Sequence, residues 1–306
     1  MKPSIVVLVN QSETAEHAAH YAAALGAPLH AHVALLHLHH DPMLLAPDSA
    51  LVTAAQTDRS YAEVAADMAA LAQELPGAAE ATVSVLPMAE AVAEAVLRHQ
   101  PLLLAMGLSP EHDVLDHLLR NHVLPVLRAT HLPLLLVPQA AARPAAPRRV
   151  LLALDAELYT LSTASRELAP LLAAWQAAYT VTHVMLDEKS AYQRRRMAMA
   201  DVRASGLLPP DAPLWVYQER DVAPAAGILQ ALADTQADLL VLIARPRSFL
   251  KGLFHRSVTT QLLERCPVPV LVLPVAAAAE PVALSRPITD AASWTAGALA
   301  GLSPAN

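Results

Sequence analysis

Short apolar runs alternate along this chain with longer stretches whose apolar residues recur every three or four positions. Ile5–Val9 is a continuous apolar run and predicts a strand, followed by an Ala-rich helix beginning near Glu13. A second strand is predicted around 31–38, where His32, Ala34 and Leu36 alternate with Val33, Leu35 and His37. Ala54, Ala55, Tyr61, Val64, Ala65, Met68 and Leu71 fall at helical spacing and predict a long helix over 50–74. The pattern then gives a strand at 81–86, a helix at 88–99, a strand at 102–106, a helix at 112–130 and a strand at 133–137. The order is β-α-β-α-β-α-β-α-β.

The same order returns in the second half, with strands near 149–154, 180–186, 214–218, 239–243 and 269–273. Pro133-Leu-Leu-Leu-Val-Pro138 and Pro269-Val-Leu-Val-Leu-Pro274 lie 136 positions apart, as do Pro110 and Pro246, and Arg120 and Arg256. Nearer the start the offset is larger: Asn10 and Asp155 are 145 apart, and His37 and His183 are 146 apart. The chain therefore reads as one duplicated unit, the first copy carrying an insertion of about ten residues that we place at 41–49. The predicted divisions are a first domain at 1–138, a Pro/Ala/Arg linker at 139–149, a second domain at 150–275 and a low-complexity, mostly disordered tail at 276–306. Uninterrupted apolar strands joined by helices predict parallel sheets buried on both faces, wound with helices on each side. In such sheets, ligands bind beyond the carboxyl ends of the strands.

Composition narrows the functional classes. A net charge of −7 over 306 residues argues against a general nucleic-acid binder. One cysteine, Cys266, excludes an intrachain disulfide and a multi-cysteine metal site, and it reads as a small buried hydrophobe before Pro267. No run reaches the ~18 apolar residues of a membrane span, and the expected location is cytoplasmic. The sequence has no Gly-x4-Gly-Lys-Ser/Thr loop, no Gly-x-Ser-x-Gly elbow, no His-Glu-x2-His pair and no His-x-Gly-His or Ser-Gly-Gly signature, so no enzymatic activity is expected.

The residues at the strand ends resemble those of the universal stress protein family. The first strand runs into Asn10-Gln-Ser-Glu in one copy and Asp155-Ala-Glu in the other. The second ends in Leu36-His37-Leu38 and Thr182-His183-Val184, and both copies close on a Pro-flanked aliphatic strand. The resemblance covers both copies to about Val275. It implies two tandem five-stranded domains of the adenine nucleotide α-hydrolase type, related by a pseudo-two-fold, and a role in stress response. It also implies an internal pseudo-dimer joined through strands 133–138 and 269–274, with an unknown protein as further partner.

Nucleotide-binding members carry Gly-x2-Gly-x9-Gly-Ser/Thr after the fourth strand, where bare backbone approaches phosphates at a helix N-terminus. That frame falls here on Gly107, Pro110, Arg120 and Asn121, and on Ile243, Pro246, Arg256 and Ser257. One glycine of six survives, proline removes N–H donors, and Asn10 replaces the strand-end aspartate. The expectation is a non-catalytic interaction module without a cofactor. The alternative is a regulator that binds ATP or another anion in the second domain through Asp155, Val184, Arg245, Arg247, Lys251, Arg256 and Ser257, with His255 nearby. The basic residues read equally as a solvated loop with Ser257 as a helix cap.

His30, His32, His37, His39 and His40 crowd the second strand of the first copy. Alternation puts His30 and His32 on one face and His37 and His39 on the other. With no compact third ligand beside either pair, no metal site is expected.

Overall fold

The computed structural model describes residues 2–9, 13–39, 60–108, 130–154, 159–185, 191–220, 223–244 and 258–276. The predicted insertion, the helix over 112–130 apart from its last residue, and the tail apart from Ala276 lie outside these residues. The first half comprises β1 (Ser4–Val9), α1 (Glu13–Gly26), β2 (His32–Leu38), α2 (Tyr61–Glu74), β3 (Ala79–Ser84), α3 (Met88–His99), β4 (Leu103–Leu108) and β5 (Leu134–Pro138). The second comprises β6 (Arg149–Ala153), α4 (Thr163–Arg166), α5 (Ala169–Trp175), β7 (Ala178–Met185), α6 (Ala191–Ala204), β8 (Leu214–Arg220), α7 (Pro224–Thr235), β9 (Leu239–Ala244), α8 (Val258–Arg265) and β10 (Val270–Pro274).

The ten strands among the described residues belong to one sheet, ordered β3-β2-β1-β4-β5-β10-β9-β6-β7-β8. Within each half every pairing is parallel. The order is therefore palindromic, third-second-first-fourth-fifth read outward-in from either edge. At the centre β5 and β10 pair antiparallel, with Leu135 opposite Leu271. These two leucines are 136 positions apart, the repeat offset itself, so each meets its own counterpart and the pseudo-two-fold axis passes between them.

The strands form because their side chains have apolar partners on both faces. Along β1, Ile5, Val7 and Val9 join one core cluster while Val6 and Leu8 join another. The first cluster holds α1, α2 and α5, and the second holds α3, α7 and α8. Equivalent helices thus share a face, as an axis perpendicular to the sheet requires. The halves also touch through helices: Trp175 Nε1 at the end of α5 donates to the Leu25 carbonyl at the end of α1, at 2.9 Å. The stretch after β5 is not a free spacer, since Ala141 and Pro147 are buried and the Arg148 and Arg149 amides donate to the Asp238 carboxylate at 3.0–3.1 Å.

Three boundaries differ from those the pattern predicted. The helix that contains Tyr61 starts at that residue and is capped by Ser60, whose side chain accepts from the Glu63 amide while the Glu63 carboxylate accepts from the Ser60 amide. The third strand is Ala79–Ser84, not 81–86, because its register on β2 runs from Val33–Ala79 to Leu38–Ser84. Val85 and Leu86, apolar in sequence, stand exposed beyond it. His30 is not on a strand at all: it caps a short 3-10 turn (Ala27–Leu29) at φ 51°, so strand alternation does not place it beside His32.

Candidate functional site

The carboxyl ends of the parallel strands are the expected ligand edge. Of the sequence-predicted residues there, Asn10, Pro110, Arg120 and Asn121 in the first half lie outside the described residues. So do Asp155, Arg245, Arg247, Lys251, His255, Arg256 and Ser257 in the second. Val184 lies in β7 in register with Glu219; its side chain, like that of His183, also falls outside.

Gly107 is described, and its surroundings account for it. It is the fifth residue of β4, in register with Val137. A Cβ there would sit 2.5 Å from the Thr14 carbonyl oxygen and 2.7 Å from its carbon. The first turn of α1 presses directly on the end of β4, so this glycine is demanded by helix–strand packing independently of any phosphate. Two strands over, on β2, the buried His37 ring places Nδ1 2.9 Å from the Val9 carbonyl oxygen, tying the ends of β1 and β2 together.

The second half treats the same edge differently. Ile243 stands where Gly107 stands, in register with Leu273. Among the described residues, the helical stretch that follows β6 is not continuous. Pro170, in the first turn of α5, has no N–H to continue α4, and the helical segment is split at 167–168. Ahead of α4, Leu161 bridges Val275 and the Ser162 amide donates at 3.1 Å to the Pro274 carbonyl, which also accepts from the Ser165 hydroxyl within α4 at 2.8 Å. The chain after β6 therefore folds onto the end of β10.

At the opposite edge, where β2 and β3 begin, three ligand-type side chains converge. His32 opens β2, Glu80 is second in β3, and His99 ends α3. Alternation puts His32 on the Ala34/Leu36 face, while Ala79, Ala81 and Val83 pack the other face and leave Glu80 on the same side as His32. Ala91, Ala95 and His99, spaced by four, continue the buried stripe of α3 to that point. His99 Nδ1 lies 3.3 Å from Glu80 Oε1, and His32 Nε2 lies 4.0 Å from the same oxygen. Burial lowers the His99 pKa, while Glu80 pulls it upward and His32 and Arg98 push it down. Spacing within one strand could not reveal this group, because its members come from three elements. The one legible signal was a histidine at the end of the helical stripe.

Cys266 is buried, its Sγ 3.3 Å from the Val268 carbonyl, and desolvation pushes its pKa up to about 11. It is a packed thiol, not a nucleophile.

A profile of the universal stress protein family, described by that name, matches residues 1–138 and again 147–274. The chain belongs to the universal stress protein family, in tandem form. Among solved structures it is similar to a universal stress protein from Archaeoglobus fulgidus DSM 4304, at 18% identity and a TM-score of 0.61, covering 89% of this chain and 96% of that one. It is also similar to a putative universal stress protein from Pseudomonas aeruginosa UCBPP-PA14, at 17% identity and a TM-score of 0.56, covering 89% and 93%. At these identities the likeness speaks to the fold. No curated protein matches the sequence significantly. Among the described residues, no helix is long and apolar enough to cross a membrane.

Proposed function

We propose that this protein is a non-catalytic, cytoplasmic stress-response module that acts through its surfaces as an internal pseudo-dimer, its nucleotide loops degenerate. The observation that carries this reading is Gly107. The single glycine surviving from the two phosphate-loop frames packs against the Thr14 backbone, so it is no evidence of a retained phosphate site. The other five glycine positions of the two frames carry Pro110, Arg120, Ile243, Pro246 and Arg256 in place of bare backbone.

Freshly purified protein is expected to release no nucleotide on denaturation, and its melting temperature should not rise with magnesium-ATP. Micromolar ATP binding would overturn this function. The rival reading is an anion-binding second half, supported by its retained Asp155 and Ser257 beside a basic loop. It predicts a nucleotide-dependent rise in melting temperature that disappears in Asp155→Ala.

A further inference from the structure

We propose that His32, Glu80 and His99 form a binding site for a single transition-metal ion of the zinc class, at the sheet edge opposite the nucleotide-type loops. Three Lewis bases from β2, β3 and α3 offer ligand atoms that all lie within 4.8 Å of one another. Zinc holds nitrogen and oxygen ligands at about 2.0–2.2 Å, which sets ligand atoms roughly 3.3 Å apart across a tetrahedral angle. The His99 Nδ1–Glu80 Oε1 distance of 3.3 Å already meets that spacing. His32 Nε2, at 4.0 Å from Glu80, closes the set by a small side-chain adjustment. Two imidazoles with one carboxylate favour zinc, nickel or copper over the all-oxygen preference of magnesium and calcium. Three protein ligands leave a fourth position to water or to a further ligand.

The surroundings are built to hold this geometry. His99 is only 10% exposed, and its backbone carbonyl accepts from the buried Ser4 hydroxyl at 2.7 Å, fixing the last turn of α3 against β1. The two imidazole rings lie near parallel, 22° apart, with centroids 6.2 Å apart. The neighbouring guanidinium of Arg98 is engaged by Glu94, one turn back on the helix.

The second half supplies an internal comparison. His32 opens β2 opposite Ser4, and Ala178 opens β7 opposite Arg149. Glu80 pairs with Ala34, and Trp215 with Thr180. His99 precedes the left-handed cap Gln100, and Thr235 precedes the left-handed cap Gln236. The scaffold is therefore the same, but Ala178, Trp215 and Thr235 offer no comparable ligand set. One ion at this corner, and none at its counterpart in the second half, follows. Bound there, it would pin β3, the outermost strand of the first half, to β2 and α3. Strands of about seven residues rising ~3.3 Å each separate this site from the nucleotide-type edge by roughly 20 Å.

The test uses the full chain without a histidine tag, stripped by a chelator and titrated with zinc chloride in a calorimeter and against a chromophoric chelator. One equivalent should bind at micromolar affinity or tighter. His32→Ala, Glu80→Gln and His99→Gln should each weaken it at least ~100-fold, above the 10–100-fold that loss of an outer-shell partner costs. A His39→Ala/His40→Ala variant should bind like the parent. Glu80 is half exposed, so Glu80→Gln will fold and is the deciding variant. Absence of stoichiometric uptake, uptake that survives Glu80→Gln, or uptake lost with His39 and His40 would each overturn the site.

Discussion

The two halves of this chain share strand order, helix faces and even left-handed helix caps, yet they use the two edges of the sheet differently. At the carboxyl edge, α1 is a continuous 14-residue helix lying so close to β4 that only glycine fits at 107. Its counterpart is broken before Pro170, and the preceding segment is hydrogen-bonded to the end of β10 while Ile243 fills the glycine position. At the amino edge, the first half gathers His32, Glu80 and His99 where the second has Ala178, Trp215 and Thr235. The duplicated fold is held by the shared strand order and register, while the residues at the two edges of the sheet diverged.

Substitutions at the axis should show the largest effect and the least difference between halves. Leu135 and Leu271 are both fully buried and face each other. Leu135→Ala and Leu271→Ala should each cost about 3 kcal/mol in urea unfolding, within ~0.5 kcal/mol of one another. A large inequality would break the symmetry argued from the register. If the shared sheet makes the halves cooperative, both variants will unfold in one transition; two transitions would show that each half melts alone.

Next in size is the glycine contrast. Gly107→Ala must displace the Thr14 backbone and should cost about 2 kcal/mol, whereas position 243 already carries an isoleucine. Equal tolerance of Ala at 107 would show that α1 can move off β4, and that packing does not explain this glycine.

The smallest effect concerns Cys266, whose environment belongs to the second half. The unfolded thiol ionises near 9 and the buried one near 11. The folded state therefore holds its proton more tightly. Its contribution to stability is complete below about pH 9 and falls as the pH rises from there through about 11. The pH profile of Cys266→Ala should lose that alkaline decline, and the native thiol should resist alkylation at pH 8.

Much of the fold was legible in the sequence. Strands such as Ile5–Val9 and Leu239–Ile243 announce themselves because a strand buried on both faces must be apolar at every position. The repeat could be read from residue offsets alone. Where burial is one-sided, the pattern misled: Val85 and Leu86 look like strand residues but lie beyond Ser84, where β2 offers no further partner. The frame positions Gly107, Pro110, Arg120, Ile243, Pro246 and Arg256 were legible as residue types.

The sequence by itself determined the tandem α/β class and the two-sided burial of the strands, because hydrophobic periodicity is a local property of the chain. Only the tertiary structure decided that Leu135 meets Leu271 in antiparallel register, that Gly107 lies against Thr14, and that His32, Glu80 and His99 share one corner. Those three facts depend on distances between elements dozens of residues apart. Such distances are set by how strands register and helices pack, which no local pattern encodes.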